Sequence, residues 1–552
     1  MKKKVVIASL LVVATMLFGC GADKNTQSNQ NPAMEATDEA AGNAHLQEEG
    51  DGKTQDGATS DEAGDASESA EKAASSRVVG GLNDSDAVYF VFDDKHIEEG
   101  YRAANKDAYI TSLVTIDQTI FFAESEYSFA NADNFSHIYQ LEAGGEAKDL
   151  LGALSYSDIK LFARDGGLYA NVTLGADEDF KMVEISYESA GNTYREASRR
   201  ELSEEEAADI NLYSKYSDFE LEHQVNLIKE VDAQHVYFAA DSEQPYGLGT
   251  VTVYAGNPQS GELQQLYQCE EAPGIPNSQG IGTVGFQIID NVAYFRDTDG
   301  KQLIWCAYDL DAPENGKQKL SGGELTFEHM QKGTVTYESE QKKCDDCDMI
   351  VHSYYVEQYA LNSDQPNAEK INQKLADYYE EHLAMGQGMG EGLTEEDISY
   401  MHAMSYDSSY NFTYKVSDIQ TIGHYLEVNF EGYEYMGGAH GYPLRDHLLF
   451  DLSTGELVSL KDLFSGSESI FKSIVAEWTL KDYQSGQKGY FEADSDEAFE
   501  QSVFDAVTFD HGMYFTNEGV VIEYAPYEMG PYAAGYIEVA IPYSALKIDM
   551  TK

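Results

Sequence analysis

Several groups of residues in this sequence have the types and spacing to do chemistry. The first is His440, set in Gly437-Gly438-Ala439-His440-Gly441 with Asp446 and His447 close behind. A histidine works as a general base when a carboxylate orients it. No nucleophile signature accompanies this one: the sequence holds no G-x-S-x-G, no H-E-x-x-H and no nearby cysteine. His440 therefore reads as a structural side chain in a glycine-rich turn. Gly437, Gly438 and Gly441 supply backbone geometry that only glycine adopts cheaply. The second group is Cys344-Asp345-Asp346-Cys347, followed by Asp348. A redox pair needs an electropositive setting to lower a thiol pKa, and these aspartates do the opposite. Zinc would need two further ligands, and no second C-x-x-C appears. Cys344 and Cys347 then form a local disulfide or stay idle, and Cys269 with Cys306 is a second candidate bridge. Asp297 to Gly300 (DTDG) lacks the spaced carboxylates and distal glutamate of an EF-hand and reads as a hairpin turn. Asp93-Asp94 ahead of His96 has no H-x-x-x-H anywhere to complete a metal site. No metal and no cofactor are expected.

The better functional candidate is PYEMGPYAAGY, Pro526 to Tyr536. Pro-Tyr pairs in a loop between strands present rigid aromatic surface at small entropic cost. Pro526, Tyr527, Glu528, Pro531 and Tyr532 are thus the candidate partner-binding residues. A β-connection whose tyrosines merely pack is the alternative.

These groups need elements to hold them. Leu448, Phe450 and Leu452 alternate ahead of Ser453-Thr454-Gly455, with Leu457 and Val458 after it, which is a hairpin signal. HSYYVEQYAL (His352 to Leu361) alternates like a strand. NAEKINQKLADYYEEHL places Ile371, Leu375 and His382 on one helical face. A Gly- and Met-rich loop (MGQGMGEG) is expected next. Two antiparallel strands then follow over YNFTYKVSDIQTIGHYLEVNFEGYEY, with helices over ESIFKSIVAEWTL and DEAFEQSVFDAV and two closing strands. The class is α+β, with helices on an antiparallel sheet.

In that order, GGAHG, FDLSTGE, KDLF and PYEMGPYAAG…IPYSAL closely resemble a domain of unknown function of the DUF3298 type, with a preceding DUF4163-like part. The resemblance spans roughly Val351 to Lys547. That domain occurs in extracytoplasmic proteins of Gram-positive bacteria, including the lysozyme-sensing anti-sigma factor. The resemblance implies binding or sensing, with a cationic muramidase such as lysozyme as the candidate partner. This sequence departs from the sensor in having no evident membrane-spanning or sigma-binding segment, so signalling by that route is not expected.

Upstream, Lys2 to Lys4 and the apolar run Val5 to Phe18 read as a signal peptide, residues 1–19. Leu17-Phe18-Gly19-Cys20 looks like a bacterial lipobox, which makes Cys20 the lipidated anchor on the outer face of the membrane. Residues 20–76 are acidic and nearly free of large apolar side chains, so they predict a disordered tether. Residues 77–335 read as short aromatic strand pairs joined by Gly, Asn and Asp turns. Propeller-like repeats are the leading expectation there and a β-sandwich the alternative. ELSEEEAAD (201–209) predicts a helical insertion. The α+β part occupies residues 336–552. With 39 Tyr and 24 Phe the multidomain chain can fill its cores. A formal charge of −61 argues against nucleic acid and favours a cationic partner. The leading expectation is a lipid-anchored, non-enzymatic binding protein. The alternative is an envelope glycan- or peptidoglycan-processing enzyme with its active site in the middle domain.

Overall fold

From Val78 to Thr326 the chain makes short antiparallel strands because its apolar residues alternate and its turns close quickly. Three hairpins turn in two residues with both φ positive: Asp117-Gln118 (47° and 70°), Asp165-Gly166 (51° and 74°) and Asp290-Asn291 (49° and 61°). That geometry matches the strand twist and suits Asp, Asn and Gly. Five sheets result, within residues 78–102, 108–149, 157–201, 226–270 and 287–326. In the first four, each strand pairs only with its neighbours in sequence. The helical insertion is a pair, Glu204–Ile210 and Leu212–His223, the first opened by a Ser203/Glu206 capping box. DTDG is the predicted hairpin turn, in which the Asp299 carboxylate accepts from the Lys301 (3.1 Å) and Gln302 (3.3 Å) amides.

The structure is a computed structural model. It describes residues 76–550 apart from 105–107, 129–132, 155–156, 175–180, 192, 242–247, 276–280, 346, 348, 404–408 and 487. Cys20, the signal peptide and the acidic segment to residue 75 lie outside the described residues.

Strand Ala87–Phe92 (AVYFVF) is buried along its whole length because successive side chains point to opposite faces. Val88, Phe90 and Phe92 pack on Ile110, Ile120 and Phe122 of the second sheet. Tyr89 and Val91 pack on Tyr294, Trp305 and Ala307 of the fifth. Further cores join the second sheet to the third and the fourth to the fifth. Arg296 fastens the first sheet to the fifth. Its guanidinium donates to Asp84 (3.0 Å), Tyr89 Oη (2.8 Å) and the Gly323 carbonyl (2.9 Å) and lies 4.5 Å from the Trp305 ring centroid.

The remaining chain builds a six-stranded sheet in sequence order: β1 (Gly333–Lys343), β2 (Ile350–Leu361), β3 (Tyr410–Ile422), β4 (Tyr425–Tyr435), β5 (Tyr442–Asp451) and β6 (Glu456–Leu457). The division expected between residues 335 and 336 falls inside β1. The sheet is mixed and not purely antiparallel, because β2 and β3 run parallel. Parallel neighbours need a crossover, here made by α1 (Ala368–Glu391) and α2 (Glu395–Ala403).

Helix α1 also corrects the expected Gly- and Met-rich loop, since it runs straight through MGQGMGE. Gly386 and Gly390 face the sheet one turn apart. A Cβ on Gly386 would press on Phe412 and Tyr354, and one on Gly390 would collide with the His352 ring. These glycines serve close packing. His352 Nε2 donates to the Gly386 carbonyl (2.9 Å).

The other face of the sheet carries a second layer: α3 (Glu468–Ser485), α4 (Asp496–Ala506) and the three-stranded sheet β7 (Met513–Phe515), β8 (Gly519–Tyr524) and β9 (Ile537–Pro542). Ile422, Tyr425 and Leu449 share its core with Phe471, Val475, Phe499, Val520 and Ile541. Buried Glu357 on β2 ties this half to the first, accepting from Gly274 N (3.0 Å), Tyr355 Oη (2.7 Å) and Val416 N (2.9 Å). Ser76–Lys552 thereby make one compact unit. Among the described residues no helix is long and apolar enough to cross a membrane.

Candidate binding site

Between β4 and β5 the chain reverses through MGGAHG, with Gly437 and Gly438 at φ 89° and 99° as their residue type predicts. Tyr435 Oη donates to the Gly438 carbonyl (2.9 Å), and Gly441 N donates to Tyr433 Oη (2.8 Å). The turn is thus folded back on the end of β4. His440 projects from it toward the loop between β8 and β9. With Nδ1–H donating to the Gly441 carbonyl (3.0 Å), Nε2 accepts from Tyr527 Oη (2.9 Å). The imidazole stacks on Tyr532 with ring centroids 3.6 Å apart. The two stretches singled out in the sequence meet here, and a phenol, not a carboxylate, orients His440.

The β8–β9 loop is stiff. Tyr527 N donates to the Gly530 carbonyl (2.9 Å), and the Glu528 carboxylate accepts from Ala525 N (3.1 Å) while facing His511 Nδ1 at 3.6 Å. Tyr527 sits at φ 73°, an uncommon conformation for a bulky residue. Pro526 is buried and shapes the loop from within; Tyr527, Glu528 and Pro531 are exposed, and Tyr532 is half-buried. Burial, together with Tyr433 beside it, pushes the Tyr532 phenol up to about 12. Tyr527 keeps 56% of its surface exposed, Met436 at the start of the facing turn 55% and Tyr442 just after it 46%.

Beyond Gly441, β5 sends alternate side chains to opposite faces. Asp446 faces α1, where it meets His382 Nε2 (3.2 Å) and accepts from Tyr414 Oη (2.7 Å). Burial works against both charges. Even so, the pairing holds the Asp446 carboxyl below its ordinary range and His382 above its own. Arg445 and His447 face the second layer. His447 is held between Asn429 Oδ1 (2.7 Å) and Glu523 (2.6 Å), and Arg445 bridges Glu523 and Glu538 (2.8 Å). They line a pocket of about 200 Å³ with Tyr514, Asp418 and Glu431. Ser417 lines the same pocket, and the network joins β5 to β8 and β9 across the two layers. Sequence reasoning named His447 but not its partner Glu523, which sits in the apolar run VVIEY with no local signal.

None of the described cysteines is in a disulfide. Cys269 and Cys306 are packed in the core shared by the fourth and fifth sheets, where burial pushes the Cys306 thiol up to about 12. Among the described residues, Cys344, Cys347 and His402 form a group whose donor atoms could share a metal ion.

Residues 461–544 match the family model DUF3298, described as a protein of unknown function. The matched stretch is shorter than the resemblance read over Val351 to Lys547 and covers α3 through β9. No curated protein matches the chain. Among solved structures, a DUF3298 family member from Bacteroides fragilis is 18% identical, covering 39% of this chain and 93% of its own at a TM-score of 0.27. A DUF3298 family protein from Pseudomonas aeruginosa is 17% identical over 39% of this chain and 92% of its own, also at 0.27. An endo-arabinanase from Bacillus licheniformis is 8% identical over 63% and 95%, at 0.15.

Proposed function

We propose that this chain, which carries a DUF3298 domain, is a non-enzymatic binding protein held at the cell surface through a lipid on Cys20. Its partner contacts the corner where the MGGAHG turn meets the β8–β9 loop. The observation that carries this reading is the His440–Tyr527–Tyr532 cluster: two loops far apart in sequence lock each other and leave Tyr527, Met436 and Tyr442 bare. Rigid exposed aromatics are the usual anchors of protein interfaces. The formal charge of −61 suits a cationic partner, and the family resemblance nominates a lysozyme-like muramidase. The five successive sheets of the first half, packed through shared cores, are compatible with a propeller-like body that presents this corner.

The test is the kinetics of lysozyme binding to the full chain. Opposite charge mainly speeds encounter. Raising ionic strength from about 0.1 to about 1 M shortens the screening length from roughly 10 to 3 Å and should slow association more than it speeds dissociation. Replacing Tyr532 by Ala should chiefly raise the dissociation rate, by about 1–3 kcal/mol in affinity. Absence of binding leaves the corner a recognition surface for another ligand. Binding untouched by the Tyr532 change removes the corner from the account.

A further inference from the structure

The turn that joins β1 to β2 and the last turn of α2 bring three metal-binding side chains together. Cys344 and Cys347 lie in the turn, which closes where Cys344 N donates to the Met349 carbonyl (2.9 Å). His402 arrives from α2, 55 residues further on, and its Nε2 stands 3.3 Å from Cys347 Sγ. The two sulfurs and an imidazole nitrogen all lie within 4.8 Å of one another. Donors on one tetrahedral zinc ion, at about 2.3 Å for sulfur and 2.0 Å for nitrogen, stand roughly 3.5–3.8 Å apart. An ion therefore fits among these three after small side-chain shifts.

We propose that Cys344, Cys347 and His402 bind a zinc-class divalent cation, leaving its fourth position open to water. The expectation of no metal rested on missing further ligands; the fold supplies the third from a helix that sequence spacing does not reveal. Thiolate and imidazole together select zinc over calcium or magnesium, which prefer oxygen. Binding releases the two thiol protons to solvent, and the neutral imidazole contributes its Nε2 lone pair. The resulting two thiolates and dication are electrically neutral together. The ion would pin the end of the α1–α2 crossover to the edge of the sheet. Helix α2 also holds Asp397, which accepts from Tyr410 Oη at the start of β3 (3.4 Å). The cation would thus hold helix α2 against the turn between β1 and β2.

Titrating the reduced full chain with Co²⁺ tests this directly. A thiolate-to-cobalt charge-transfer band should saturate at one ion per chain and vanish on adding Zn²⁺. His402→Ala should lower Zn²⁺ affinity by roughly tenfold or more and alter the cobalt ligand-field spectrum. Cys347→Ser should remove most of the charge-transfer band, and both variants should melt like the wild type in chelator. Zn²⁺ should also raise the wild-type Tm while Ca²⁺ and Mg²⁺ leave it unchanged. Absence of the band, a band indifferent to His402→Ala, or failure of Zn²⁺ to slow oxidation of Cys344 and Cys347 to a disulfide would each overturn the site.

Discussion

Tyr527 combines an exposed ring with a left-handed backbone, φ 73°. For a non-glycine residue that conformation costs on the order of 1–2 kcal/mol. Tyr527→Gly relieves that cost but forfeits the bond to His440 (2.9 Å), so thermal stability should stay within about 1 kcal/mol of the wild type while partner binding weakens, whereas Tyr527→Ala keeps the backbone cost and loses the ring as well. Loss of both stability and binding in the glycine variant would mean that the ring holds the fold. Glu427 on β4 is the other telling side chain. It is fully buried, accepts from Phe515 N (3.0 Å) through one oxygen, and has no partner for the other among the described residues. Burial pushes its carboxyl up to about 8. The folded state then keeps a proton that the unfolded chain releases near the ordinary carboxylate value. The corresponding stability is fully present below about pH 4.5, is lost as pH rises toward 8, and changes no further above that. Glu427→Gln should flatten this decline, recovering a few kcal/mol at pH 8.5 and nothing at pH 4; chemical denaturation across that range is the check. The glycines of MGGAHG and the tyrosines of PYEMGPYAAG were legible as residue types. Their pairing was not, because His440 and Tyr527 lie 87 residues apart and nothing local connects them.

Arg296 shows what holds the sheets together. It is 2% exposed, donates to three groups on or beside the first and fifth sheets, and lies against Trp305. Arg296→Ala takes away the cationic partner of Asp84, leaves Arg102 (3.1 Å) as the remaining partner shown for the Tyr89 hydroxyl and opens a cavity, and it should cost about 3–5 kcal/mol in denaturant unfolding. A cost below about 1 kcal/mol would show that the apolar contacts between these sheets suffice without it. Alternating aromatic strands and Asp-Gly turns made the hairpins readable, down to the DTDG turn. Helix α1 was cut short because Gly386, Gly388 and Gly390 look like a breaker. The compensation lies in tertiary contacts with His352, Tyr354 and Phe412, which no local window contains. The parallel β2–β3 pairing was hidden for the same reason: strand direction follows from the crossover, and the crossover from the misread helix.

At the scale of the whole molecule, Glu357 is the seam. Its carboxylate, 3% exposed, satisfies donors from both halves, Gly274 on one side and Tyr355 and Val416 on the other. Glu357→Ala leaves these donors unpaired, and the single calorimetric transition expected of the wild-type chain should broaden or split in two. An unchanged single transition would locate the coupling elsewhere. The α+β character of the second half and the β-rich first half were visible in periodicity. The seam was not, since a glutamate inside HSYYVEQYAL reads as solvent-facing until Gly274 of the first half comes to lie against it. The claim that matters most is that the aromatic corner is where a partner docks. Amide hydrogen exchange of the full chain, free and saturated with a lysozyme-like muramidase, tests it most directly. Slowed exchange should concentrate in residues 433–442 and 525–536. Slowing confined to the five sheets of the first half, with both of those stretches unchanged, would contradict the account.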